Sequence, residues 1–77
     1  MFSYNIFKEA SNEEFDKACK SIENSLDIKK APPIIDVDGS TIQIYSSGSR
    51  KIKIYNDYEV DAVYIDSDIE LNNLFNC

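Results

Sequence analysis

The chain has 77 residues and a net charge of -6 at pH 7. A chain of this length has room for one domain with a thin core, and a hydrophobic content of 43% is too high for a disordered chain. Acidic proteins are poorly suited to bind DNA, RNA or anionic membranes directly, because phosphate neutralisation needs clustered Lys and Arg. We therefore expect a single folded domain over residues 1–77 that favours a basic protein partner.

Several chemical groups are scarce or missing. Histidine is absent, which excludes Ser-His and Cys-His nucleophile pairs, and Cys19 and Cys77 are too few for a disulfide scaffold. No apolar run reaches the roughly 18 residues that span a bilayer, and the first residues lack the basic segment of a secretory leader. We expect a cytoplasmic protein that is not an enzyme and holds no metal or cofactor.

The first two elements are a strand and a helix. Residues 2–7, FSYNIF, alternate apolar and polar side chains, which is typical of a short half-buried strand. Ser11 and Glu14 then form a capping box, in which each side chain can bond the other's free backbone N–H. The apolar residues that follow recur at helical spacing and form one stripe: Phe15, Ala18, Cys19, Ile22 and Leu26. The pattern predicts a helix packed on a sheet.

The segment KKAPPII ends the helix, because two consecutive prolines cannot continue it. The dipeptide Asp38-Gly39 then predicts a hairpin. A turn centred on it pairs Ile35 with Ile42, and a turn centred one residue later pairs Val37 with Ile42. Both registers place the same side chains on the core face: Ile35, Val37, Ile42 and Ile44.

Two further hairpins complete the predicted sheet. If Ile42 and Ile44 face the core together with Ile52 and Ile54, the loop at SSGSR has three residues, 47–49. The outer face then carries Gln43, Tyr45, Lys51 and Lys53. For the next turn, a loop at residues 55–57 pairs Ile54 with Tyr58 and Ile52 with Val60 on the core face. On the outer face, the same loop places Lys53 opposite Glu59 and Lys51 opposite Asp61. A shift that pairs Ile54 with Val60 keeps the same faces and stays open.

The segment AVYI breaks the alternation, so the last strand is either covered on both faces or bulged near Ala62. Ser67 and Glu70 repeat the capping-box spacing and predict a short C-terminal helix. The fold class is α+β: one amphipathic helix packed on a mostly antiparallel sheet of four or five strands, in the order β-α-β-β-β-β-short α. The first strand can join in parallel through a right-handed crossover, and its position is left open.

Two acidic segments resemble metal sites only in part. DVDG, residues 36–39, would need a bidentate Glu where Tyr45 stands to serve as a calcium loop. DSDIE, residues 66–70, lacks the glycine that a sharp wrap around a cation requires. Both segments are better explained by local turns and caps.

The whole net charge lies in the last third of the chain. Residues 54–77 contain six acids and no Lys or Arg, whereas residues 1–53 contain eight acids and eight bases. Alternate strand residues are roughly 6.8 Å apart, so Glu59 and Asp61 would repeat at a spacing similar to that of neighbouring phosphates. The predicted partner-binding residues are these acids and two outer-face tyrosines: Asp57, Glu59, Asp61, Asp66, Asp68, Glu70, Tyr45 and Tyr55.

Some of these acids have other predicted partners. Lys53 and Lys51 would partly neutralise Glu59 and Asp61, and Glu70 would cap a helix. The uncompensated charge is therefore expected at Asp57, Asp66 and Asp68. The alternative interpretation is that the acidic stretch only keeps the domain soluble.

No family is recognised in these residues. In size and charge alone, the chain resembles the small phage-encoded inhibitors of bacterial defence, such as anti-CRISPR and anti-restriction proteins, which would place it in the host cytoplasm. The leading hypothesis is a non-enzymatic inhibitor that binds a basic nucleic-acid-handling protein or ribonucleoprotein complex and blocks its DNA or RNA site by charge mimicry. The alternatives are a structural module that self-associates as a homodimer, and an immunity or antitoxin protein that neutralises a toxin.

Overall fold

The computed structural model describes residues 2–75, which form one helix and six strands. The helix, α1, spans Asn12–Ser25, and the strands are β1 (Phe2–Phe7), β2 (Lys29–Lys30), β3 (Ile34–Ile35), β4 (Thr41–Ser47), β5 (Arg50–Asp57) and β6 (Ala62–Ser67). All pairs are antiparallel in the order β1-β6-β5-β4-β2, and β3 also pairs with β4. The α+β class is confirmed, with six strands in place of four or five. The parallel option for the first strand is wrong.

Helix α1 covers one face of the sheet with its apolar stripe. The Glu14 backbone N–H donates to the Ser11 side chain at 3.3 Å, so Ser11 caps the helix as predicted. The reciprocal bond of the capping box is replaced, because the Ser11 N–H donates to the Asn56 side chain. Leu26 is half-buried, and the other four stripe residues are buried: Phe15, Ala18, Cys19 and Ile22. They pack in one core with residues of the sheet that include Ile52, Ile54, Val63 and Ile65. Burial of each large aliphatic side chain contributes about 1.5–3 kcal/mol.

The additional strand comes from an interruption at the edge beside β4. Strand β2 pairs with one end of β4 and β3 pairs with the other. Between them lie residues 31–33, where the prolines lack the N–H that a continuous strand would donate. One extended segment is therefore divided into two strands of two residues each.

The hairpin from β3 to β4 has a longer loop than predicted. Ile34 lies opposite Ile42, and residues 36–40 form the loop, so both predicted registers are wrong. The Asp36 side chain accepts from the Val37 N–H at 2.7 Å, which holds the wider loop. As a result Ile35 and Val37 are exposed and do not belong to the core.

The hairpin from β4 to β5 reverses the predicted faces of β4. Ser47 pairs with Arg50 across a two-residue loop, and Tyr45 pairs with Ile52 on the core side. Tyr45 is 0% exposed, so its predicted position on the outer face is wrong. The core accepts Tyr45 because its hydroxyl donates to the Glu23 carboxylate at 2.6 Å. The placement of Ile42 and Ile44 in the core is also wrong, because they occupy the outer face instead.

The turn between β5 and β6 falls later in the chain than predicted. Ile54 lies opposite Ile65, and the loop spans residues 58–61, so both predicted registers are wrong. Asp57 stabilises this loop by accepting from the backbone N–H groups of Glu59 and Val60. Tyr58 and Val60 are exposed in the loop, where the sequence predicted core residues.

The ends of the chain differ from prediction in two further ways. Strand β6 pairs regularly with β5, and the irregularity lies in β1 between Asn5 and Phe7. Residues 71–75 make a single turn in place of the predicted helix, and the Ser67 hydroxyl bonds the backbone of Ile69. Cys19 is buried as predicted, and Cys77 lies outside the described residues. Within residues 2–75, no helix has the length and apolar character that crossing a membrane requires.

Candidate functional site

The predicted acidic residues separate into two groups at opposite ends of the sheet. Asp57 ends β5, and Glu59 and Asp61 lie in the loop that follows. Asp66 lies near the far end of β6, and Asp68 and Glu70 follow that end. Since the strand from 62 to 67 separates the two groups, the acidic stretch does not form one continuous surface.

The group at the far end of β6 lies beside the basic residues of β5. Asp66 is opposite Lys53 in the sheet and accepts a hydrogen bond from the Ser3 hydroxyl at 3.0 Å. The Asp68 carboxylate accepts from the backbone N–H of Lys51 at 3.1 Å. The predicted opposition of these lysines to Glu59 and Asp61 is wrong. The expectation that Asp66 and Asp68 carry uncompensated charge stays a prediction.

The other group gains two acids from a different part of the chain. The loop at 36–40, which contains Asp36 and Asp38, lies against the loop at 58–61. The Tyr58 N–H donates to the Ser40 hydroxyl at 2.9 Å, and a side chain at Gly39 would begin 3.5 Å from the Tyr58 ring. The two loops therefore share one end of the sheet. The sequence predicted Asp36 and Asp38 only as turn residues, and their proximity to Asp57 and Glu59 has no local signal in the chain.

A groove of about 370 Å³ runs between these loops on the outer face of the sheet. Its floor is a row of directly opposed residues on four strands: Ile34, Ile42, Tyr55 and Tyr64. Its rim carries four carboxylates: Asp36, Asp38, Asp57 and Glu59. Among the described residues that line the groove, none is Lys or Arg. We call this feature the acid-rimmed groove.

The aromatic part of the floor is a stacked pair. The Tyr55 and Tyr64 rings lie 4.6 Å apart between centroids at an interplanar angle of 14°. The Tyr64 hydroxyl donates to the Asp57 carboxylate at 3.2 Å. Partial burial, followed by the nearby Asp57 charge, raises the pKa of Tyr64, and burial raises the pKa of Tyr55. Both hydroxyls therefore remain protonated near neutral pH. Tyr55 occupies the outer face, as the sequence predicted.

Local hydrogen bonds fix three of the four rim carboxylates. The Asp38 side chain accepts from the Ser40 N–H at 2.9 Å, and this bond lowers the pKa of the Asp38 carboxyl. Asp36 and Asp57 accept from backbone N–H groups in their own loops. Because these bonds hold the carboxylates in place, a cation that enters the groove meets negative groups that are already oriented.

Asp61 and Glu70 have structural partners. Asp61 has a φ of 57° and accepts from the Ala10 N–H at 2.8 Å, which connects the loop to the segment before α1. Glu70 accepts from the Asn72 side chain at 2.9 Å. Neither residue lines the groove, so the structure brings only Asp57, Glu59 and Tyr55 together there from the predicted set.

The cysteine in the described part of the chain has the environment of a core residue. Burial raises the pKa of the Cys19 thiol, which keeps it protonated and weakly nucleophilic. Within residues 2–75, no group of three or more Cys, Asp or Glu side chains has an arrangement that could hold a metal ion. The chemistry available at the groove is the binding of cationic and apolar groups.

Comparisons with known proteins were made at three levels. No protein family, no curated protein and no solved structure matches the chain.

Proposed function

We propose that this protein is a non-enzymatic inhibitor that binds a basic surface of a nucleic-acid-handling protein and thereby blocks its DNA or RNA site. The observation that carries the proposal is the acid-rimmed groove, where three carboxylates from two loops and Asp57 at the end of β5 line the rim of an apolar floor. The net charge of -6 adds a long-range attraction to a basic partner.

The distribution of charge supports this end of the sheet as the contact surface. At the far end, Asp66 lies opposite Lys53 and Asp68 accepts from the backbone N–H of Lys51, so acids and bases lie side by side. A basic partner would meet a balanced surface there and a negative surface at the groove. The groove also offers apolar and aromatic area, which adds contact energy that charge alone does not provide.

The test is capture of partners from a host lysate at 50 mM and 500 mM salt, followed by a nucleic-acid binding assay on each captured protein. The informative variant is Glu59→Lys, because Glu59 lies on the rim and is exposed. The matched control is Glu70→Lys, which makes the same change in net charge at the other end of the sheet.

We expect Glu59→Lys to weaken capture about threefold to tenfold at low salt, with Glu70→Lys close to wild type. The captured protein should lose its affinity for DNA or RNA when this chain is bound. The proposal is wrong if both variants behave like wild type, or if the captured protein binds nucleic acid equally well in the complex.

A second candidate function, self-association, is favoured by the edge of the sheet. Strand β1 lies at one edge of the sheet. Charged residues and prolines commonly prevent pairing at an exposed edge, and Phe2–Phe7 contains neither. Phe2 and Phe7 are also exposed. Sedimentation velocity over a wide concentration range would show a dimer that Phe7→Lys disrupts, and a monomer at every concentration would remove this candidate.

A further inference from the structure

The groove has the shape and composition to select between the two basic side chains. We propose that its occupant is an arginine side chain from a basic segment of the partner, with the guanidinium on the Tyr55 ring beside the rim carboxylates. This inference rests on the proposed function, since it specifies the group that the same site binds.

The position of Tyr55 is the first reason. Tyr64, on β6, covers one face of the Tyr55 ring, and β4 lies on the other side of β5. The opposite face of Tyr55 is therefore directed toward the groove, where Ile42 is its neighbour in register. A planar guanidinium stacks on such a ring face and is less strongly hydrated than an ammonium group, so it enters a partly apolar groove more easily.

The second reason is the arrangement of the acids. Both oxygens of Asp57 already have donors: the backbone of the loop on Oδ1 and the Tyr64 hydroxyl on Oδ2. This fixed carboxylate provides negative charge next to the aromatic pair. Glu59 follows in the exposed loop, and its longer side chain can present two oxygens to a guanidinium, the bidentate pairing that Lys cannot make.

The third reason is the apolar side of the groove. Ile34 is 52% exposed although it lies opposite Ile42 in the sheet. An arginine has a three-carbon stem that can cover this surface while its charged end stays near the rim. Aromatic, carboxylate and aliphatic groups are thus arranged within one site of a size suited to one or two side chains.

The experiment is an NMR titration of the ¹⁵N-labelled chain with two synthetic peptides, acetyl-Gly-Arg-Arg-Gly-amide and its Lys-Lys counterpart, at 50 mM salt. We expect both peptides to shift amide signals of the groove loops, and the Arg peptide to bind at least threefold more tightly. Tyr55→Leu should bring the two affinities together, whereas Glu59→Gln should weaken both peptides about twofold to fivefold. The dispersion of the amide spectrum shows whether each variant is folded.

Equal binding of the two peptides in the groove would overturn the arginine assignment and leave the proposed basic partner in place. Shifts that centre on residues 66–70 would overturn both the assignment and the choice of the groove as the contact surface. The absence of shifts with either peptide would also overturn the assignment, and the capture experiment would then decide the proposed function separately.

Discussion

Replacement of Asn56 by Ala tests the connection between the helix and the sheet. Asn56 is 0% exposed on the core face of β5. Its side-chain oxygen accepts from the Ser11 N–H at 3.0 Å, and its side-chain nitrogen donates to the Asn12 side chain at 2.9 Å. Asn56→Ala removes both bonds at about 1 kcal/mol each and leaves space and an unpaired donor behind, for a total loss of about 2–4 kcal/mol in the free energy of unfolding.

Urea unfolding followed by far-UV circular dichroism measures this loss, and in a domain of this size each kcal/mol also lowers Tm by about 4–8 °C. The matched control is Asn24→Ala, at an exposed position of α1, which should change stability by less than about 0.5 kcal/mol. A double-mutant cycle with Asn12→Ala should give a coupling of about 0.5–1 kcal/mol. A loss below about 1 kcal/mol for Asn56→Ala would refute the idea that this residue fastens α1 to the sheet.

Two further predictions concern stability. The Tyr45 hydroxyl lowers the pKa of the Glu23 carboxyl below its ordinary value of 4.5, so their bond stabilises the fold above that pH and is lost as the pH falls. Tyr45→Phe should therefore cost about 1 kcal/mol at pH 7, allowing for the partial exposure of Glu23, and less at pH 3; equal losses would contradict this. Replacement of Gly39 by Ala should lower the free energy of unfolding by about 1–3 kcal/mol, because its φ of +89° is one that residues with a Cβ rarely adopt. Gly48 has a φ of +63° with open space around it, so Gly48→Ala should lower the free energy of unfolding by less than Gly39→Ala. Thermal unfolding measures both losses, and a larger loss for Gly48→Ala would contradict this reasoning.

The sequence predicted the helix well because its signals are local. The cap at Ser11 and the buried stripe from Phe15 to Ile22 depend on spacing along one element, and both are present. The same holds for the α+β class, since strands and one amphipathic helix have distinct periods. The division of the edge into β2 and β3 was missed, because two-residue strands leave almost no pattern in the sequence.

The faces of β4 were predicted wrongly because the most apolar set was assumed to face the core. In the structure Gln43 and Tyr45 lie buried on the core face of β4, and each has a hydrogen-bond partner that the sequence does not reveal. The Gln43 amide donates to the Ala31 carbonyl at 2.6 Å, and the Tyr45 hydroxyl donates to Glu23. A buried polar group with a partner costs little, so the larger ring of Tyr45 could occupy the core.

The orientation of β4 and the position of the acid-rimmed groove both depend on the lengths of the hairpin loops. A hairpin loop shorter by one residue moves every side chain of β4 to the other face, which brings Ile42 outward and creates the apolar floor of the groove. The later turn at residues 58–61 then pairs Lys53 with Asp66 instead of Glu59. The lysines therefore lie beside the acids at the far end of the sheet, whereas the carboxylates of the groove, whose described lining contains no Lys or Arg, lie beside the exposed apolar row. Because both changes follow from loop length, a Gly inserted in the loop at 48–49 should disturb the groove even though it lies at the opposite end of β4.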